Sequence, residues 1–103
     1  MKVTVIKDDN SVAVDDEGYG NLDLNFLDDT IHAIQWYDTH GEIERKDPIT
    51  KKMISNEEIT SFDQFQQVLV VWQAEKDKIE AEKDRIAAEL ILRQNESVAS
   101  DNT

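Results

Sequence analysis

Ile31-His32-Ala33-Ile34-Gln35-Trp36-Tyr37 is the most strand-like run in the chain, dense in β-branched and aromatic residues. Strict alternation sets Ile31, Ala33, Gln35 and Tyr37 on one face and His32, Ile34 and Trp36 on the other. Both faces carry apolar groups, so the run reads as a central strand. Asp38-Thr39-His40-Gly41 follows with turn residues, Gly41 being free to take a positive φ, and Glu42-Ile43-Glu44-Arg45 returns as the antiparallel partner. Asp47-Pro48 ends that partner, because proline has no N–H to give to a ladder. Residues 49–58 read as a polar connection with a short edge strand near Met53.

Upstream, Val3 and Val5, then Val12 and Val14, show the period of half-buried strands on either side of the turn-forming Asp8-Asp9-Asn10-Ser11. They predict a first hairpin. Asp15-Asp16-Glu17-Gly18-Tyr19-Gly20-Asn21 reads as an acidic loop, Leu22-Asp23-Leu24 as a short extended piece, and Phe26-Leu27 as a plug on the core.

Downstream, Ser61-Phe62-Asp63-Gln64 fits a capping box, with the serine oxygen accepting from the N–H of Gln64 and the glutamine side chain reaching back. From Phe62 to Arg93 there is no glycine or proline, and the composition favours helix throughout. Phe62, Phe65, Val68, Leu69 and Trp72 recur at three- and four-residue spacing, which predicts the segment that docks on the sheet. Beyond it, Ala74-Glu75-Lys76-Asp77-Lys78-Ile79-Glu80 and Ala81-Glu82-Lys83-Asp84-Arg85-Ile86-Ala87 form a near-repeat of seven with only a narrow apolar stripe. Lys76 with Glu80, Lys78 with Glu82 and Glu89 with Arg93 are spaced to support the helix by about 0.2–0.5 kcal/mol each. The expected architecture is α+β: a small antiparallel sheet domain over 1–58, then a long amphipathic, charged helix over 59–93. That helix docks at its start and projects after about residue 74, and 94–103 form a disordered tail.

Composition narrows the function. Eleven basic against 23 acidic residues leave a formal charge of −12, which repels nucleic-acid phosphates and anionic membrane surfaces. No stretch approaches the roughly 20 apolar residues of a membrane span. The opening residues lack the apolar block of a secretory signal, and with no cysteine the chain has neither disulfide nor thiolate chemistry. The acids gather in residues 1–58, with 14 against 6 bases, whereas 59–93 hold 7 against 5.

Catalytic and cofactor signals are missing. His32 and His40 are the only histidines, one in a strand and one in a turn, and no second histidine or cysteine is spaced to complete a metal site. No nucleophile elbow, phosphate loop or zinc-helix motif occurs. Asp15-Asp16-Glu17 has carboxylates for a calcium ion but not the twelve-residue spacing that makes such loops specific. The expectation is a non-enzymatic protein without metal or cofactor, with Trp36, Tyr37, Trp72, Ile79 and Ile86 as candidate partner-binding residues. Trp36 and Tyr37 lie on opposite faces of one strand, as interface anchors or as cover for the core. Phe65, Trp72, Ile79 and Ile86, continued by Leu90, make the heptad stripe. Lys76 and Lys83 occupy the adjoining seam positions, where leucines would favour a homomeric coiled coil. A partner protein, other copies of the chain or solvent are its alternatives.

Ile31-His32-Ala33-Ile34-Gln35-Trp36-Tyr37, Gly41-Glu42-Ile43-Glu44 and Asn56-Glu57-Glu58-Ile59-Thr60, followed by Phe65 and Trp72-Gln73-Ala74-Glu75, resemble a family of small tailed-bacteriophage proteins encoded near tail-fibre genes. The resemblance covers about residues 1–80. It implies a protein acting on a tail or tail-fibre component, as assembly helper or minor part of the particle, located in the host cytoplasm during assembly or in the virion tail. It carries no catalytic residues. The rival expectation is an acidic mimic of nucleic acid that blocks a host DNA-binding enzyme, since rows of carboxylates can stand in for phosphates.

Overall fold

The computed structural model describes residues 1–101, with side chains for residues 1–94. Six antiparallel strands form one sheet: β1 (Lys2–Ile6), β2 (Ser11–Val14), β3 (Glu17–Tyr19), β4 (Ile31–Tyr37), β5 (His40–Arg45) and β6 (Glu57–Ile59), in the order β3-β2-β1-β4-β5-β6. One helix, α1, follows over Gln66–Asp101, behind a 3-10 turn at Asp63–Phe65. The fold is α+β, as the sequence predicts. Helical backbone runs to Asp101, past the Arg93 end expected from composition and into the disordered tail expected over 94–103, of which residues 102–103 lie outside the described residues.

The alternation of Val3, Val5, Val12 and Val14 becomes the first hairpin, and all four side chains are buried. β4 is central as expected, between β1 and β5. Its faces are not strictly alternating, however. The β4–β5 register shifts between Ile31 and Ala33, a bulge that moves Ile31 into the same apolar cluster as Ile34 and Trp36. Asp15-Asp16 is a two-residue turn rather than part of a loop, and the residues after it form β3, at the sheet edge. Both aspartates have positive φ, 48° and 70°, as this tight hairpin turn demands.

Left-handed backbone falls on Asn10, Asp15, Asp16, Asn21, Asp38 and Lys51, and on no glycine. Five of these six are Asn or Asp, whose short polar side chains tolerate that region. Asp38, at φ 52°, therefore turns the β4–β5 hairpin, not Gly41. Gly41 serves a different need. It is extended in β5 beneath the Trp36 ring, and a Cβ there would strike the Gln35 carbonyl and come within 2.9 Å of the indole.

The connection after β5 is pinned by Asp47, whose carboxylate accepts from the N–H groups of Ile49 (2.8 Å) and Thr50 (3.0 Å). Met53 makes a single bridge with Lys46, and the true edge strand is β6, a few residues later. Leu22, Leu24 and Leu27 plug the core without forming a strand, while Phe26 is exposed. The capping box is not formed either. Ser61 Oγ accepts from Asp63 N at 3.2 Å, one residue early, and the chain makes a 3-10 turn before α1 starts at Gln66.

Phe62, Phe65, Val68 and Trp72 are buried against one face of the sheet, with Leu69 partly so. The Phe62 ring packs at a tilt on Trp36 of β4, centroids 5.7 Å apart, and ten residues later Trp72 packs in the same way on Tyr19 of β3, three strands away, at the same distance. At about 1.5 Å per helical residue and about 4.8 Å per strand the two spans agree, so this segment crosses the strands. It leaves the sheet over the β3 edge. The molecule measures 73 Å along its longest axis against 31 and 18 Å across, the extra length being helix.

Candidate interaction surface

The five residues singled out from sequence separate into two groups. Trp36 and Trp72 are 6% and 8% exposed and belong to the core, so they hold the fold and do not present a surface. Trp72 anchors the helix exit: its indole N–H donates to the Glu17 carbonyl at 2.8 Å, and Lys76 Nζ lies 5.2 Å from its ring while pairing with Glu17 at 3.3 Å. That contact keeps the Lys76 ammonium charged beyond the usual lysine range, chiefly through the hydrogen bond to Glu17. Lys76 is thus tied across to the sheet and not to Glu80. On the helix, Arg85 pairs with Glu82 and, at 2.6 Å, with Glu89, in place of the pairs expected from spacing.

Tyr37, Ile79 and Ile86 form the second group. Ile79 is half-buried, whereas Tyr37 and Ile86 are 41% and 46% exposed. With 3.6 residues per turn, Val68, Trp72, Ile79, Ile86 and Leu90 fall within about 40° of one line along α1. The face that docks on the sheet therefore continues outward with nothing beneath it. Every described side chain from Ala81 onward is exposed, including Leu90, Ile91 and Leu92. The stripe also carries Lys83, which makes no ion pair among the described residues.

A second open surface lies on the opposite side of the sheet. The registers align Gly18, Ala13, Thr4, Gln35, Glu42 and Glu58 in one row across all six strands. Among the described residues no α-helix covers this row, where Thr4, Ala13 and Gln35 are half-buried; Ala33, on the same face beside Ile6, is 1% exposed, so the open part begins at the row itself. Tyr37 is on it, its hydroxyl donating to Gln35 Oε1 at 2.7 Å and its ring 5.9 Å from that of His40. At its β5–β6 end Glu42 and Glu58 sit directly opposite each other, a like-charge arrangement that opposes pairing. Neither makes an ion pair among the described residues. The alternation marks each of these residues as facing away from the core, but only the strand order brings them into one row.

His32 is a tie between elements. Its Nδ1 is 3.0 Å from Asp8 Oδ2, which also pairs with Lys46, and this holds the Asp8 carboxyl below the ordinary carboxylate range, mainly through Lys46. Asp15 accepts from the Lys2 N–H at 2.8 Å, Asp16 is 3.6 Å from Lys2 Nζ, and Glu17 faces Lys76. Among the described residues no group of three or more histidine or carboxylate side chains is placed to hold a metal ion. The hollows include shallow grooves along the helix, such as that lined by Gln66, Leu69, Val70, Gln73, Ala74 and Asp77, and a small one at the β5–β6 end lined by His40, Gly41, Glu42, Glu58, Ile59 and Thr60. No helix among the described residues is long and apolar enough to cross a membrane. Compared with protein families, curated proteins and solved structures, the chain matches none.

Proposed function

We propose that this chain is a non-enzymatic binding protein whose sheet domain is a base and whose projecting helix carries the contact residues. The single observation behind this reading is that the docking face of α1 runs on past the sheet as the half-buried Ile79 and then as Ile86 and Leu90, apolar groups left exposed. A helix that served only to complete the core would end near Trp72. Hydrophobic side chains held on a rigid element at a fixed distance from a folded base suit recognition of a protein surface, by the helix-in-groove or helix-on-sheet modes. The sequence resemblance favours a tail or tail-fibre component of a tailed bacteriophage as the partner, with this chain as assembly helper or minor part of the particle.

Capture from purified particles tests it. Immobilised full-length chain is expected to retain tail or fibre proteins from disrupted virions, and a chain ending at Lys78 to retain none. Equal retention by both, or retention of neither class by the full chain, would overturn the proposal.

A further inference from the structure

Two open surfaces on this chain fit each other. We infer that the projecting half of α1 docks on the far face of the sheet of a second copy, each copy doing so to the other, in a closed two-fold dimer. The inference goes beyond the proposed binding function, because it fixes what the stripe meets first and which sheet face receives it.

Geometry supplies the first argument. α1 passes over its own sheet and leaves across the β3 edge with its docking face still turned toward the plane of the sheet. Place a second copy beside that edge, related by a two-fold axis lying in the sheet plane. The second sheet is then level with the first but inverted, so its far face meets the docking face of the incoming helix, at the same layer spacing as within one chain. The reverse contact is made below by the second helix. Such an interface is self-complementary, and because it uses the stripe that the proposed function gives to a tail component, that component would have to displace the second copy in order to bind.

Length supplies the second. One strand of about 4.8 Å is crossed for roughly every three helical residues at about 1.5 Å each. Counted from Trp72 above β3, the segment from Ile79 to Arg93 spans about 21 Å, close to the width of the five strands from β2 to β6. By the same count Ile79 falls over Ala13 of β2, Lys83 over Thr4 of β1, Ile86 over Gln35 of β4 beside Tyr37, and Leu90 over β5 and β6. A helix of about four turns laid on a sheet face, twice per dimer, belongs to the size class of stable interfaces, about 1,200–2,000 Å² in all.

Charge supplies the third. The exposed part of the stripe carries Lys83 and has Arg93 at its margin, with no carboxylate among its apolar residues. The far face ends in Glu42 and Glu58, facing one another without a counter-ion among the described residues, with Glu44 two positions along β5. Arg93 arrives at this β5–β6 end in the dimer. The same charges disfavour a parallel helix pair, which would set Lys76 and Lys83 against their own copies.

The absence of cysteine makes the test direct. Ile86→Cys and Gln35→Cys chains, mixed and oxidised, are expected to form a mixed disulfide dimer, whereas Ile86→Cys alone gives none, because the two helices lie on opposite sides of the paired sheets. Light scattering on the full-length chain is expected to show a dimer. Ile86→Glu should raise its dissociation constant at least a hundredfold without altering the far-UV circular dichroism, and Arg93→Glu should weaken it tenfold and be rescued by Glu42→Lys. A monomer at high micromolar concentration, or efficient disulfide formation by Ile86→Cys alone, overturns the inference. A monomer that still captures tail proteins would sink the dimer and leave the proposed function intact; a dimer that captures none would do the reverse.

Discussion

Replacing Trp72 by alanine tests whether the helix is held where the sheet ends. The side chain is 8% exposed, packed on Tyr19 at 5.7 Å and bonded to the Glu17 carbonyl at 2.8 Å. A tryptophan buries about 150–250 Å², which at about 25 cal/mol per Å² is worth roughly 4–6 kcal/mol, and core truncations of this size cost about 3–5 kcal/mol. A chain of this length has about 5–15 kcal/mol in total. Trp72→Ala should therefore remove about a fifth of the stability or more, read by urea denaturation with Trp36 as fluorescent reporter. Trp72→Phe keeps most of the apolar contact and loses one hydrogen bond, worth about 1 kcal/mol at a strand edge open to water. A cost below about 1 kcal/mol for Trp72→Ala, or equal costs for the two variants, would refute the view that this indole fastens helix to sheet.

Gly41→Ala should destabilise by about 1–3 kcal/mol, since the added methyl meets the Gln35 carbonyl and the Trp36 ring; an unchanged melting temperature would contradict that packing. A chain ending at Lys78 should keep the full-length unfolding free energy within about 1 kcal/mol when both are measured as monomers, because what is removed covers little of the core; loss of cooperative melting would show otherwise. Acid should act through Asp8, Asp28 and Asp47, each held below the ordinary carboxylate range by the folded state: Asp8 first by Lys46, Asp28 by the Thr30 N–H, Asp47 by the Thr50 N–H. Since their folded pKa values are depressed, this stability is present above the unfolded value near 4 and lost as pH falls through the lower folded values. Denaturation midpoints should thus be flat from pH 7 to 5 and fall below 4, and a fall beginning at pH 6 would point to other groups.

Long-period patterns were readable in the residues, and short or contextual features were not. The valine alternation gave β1 and β2, the run 31–37 gave the central strand, and the three- and four-residue spacing of Phe62 to Trp72 gave the docking segment. β3 was missed because three residues, Glu17-Gly18-Tyr19, are too few to show a period and looked like the end of an acidic loop. The bulge at His32 was invisible for a related reason: alternation assumes one residue against one, and only the pairing with Arg45 and Glu44 reveals the extra residue. Gly41 was read as a turn residue because glycine permits positive φ, yet the neighbouring aspartate took that conformation and the glycine gave room to Trp36. Among candidate contact residues, spacing placed Ile79 and Ile86 on the continuation of the docking face but could not separate them from Trp72, since burial depends on where the sheet stops. The far face is a product of strand order, which no local pattern carries.

The claim on which the account rests is that α1 beyond Lys78 binds another protein and is not needed to fold the chain. Retention of tail and fibre proteins from disrupted particles, measured side by side on immobilised 1–103 and 1–78 chains of matched circular dichroism, addresses it most directly. The account predicts retention by the longer chain alone; equal retention by the two would contradict it.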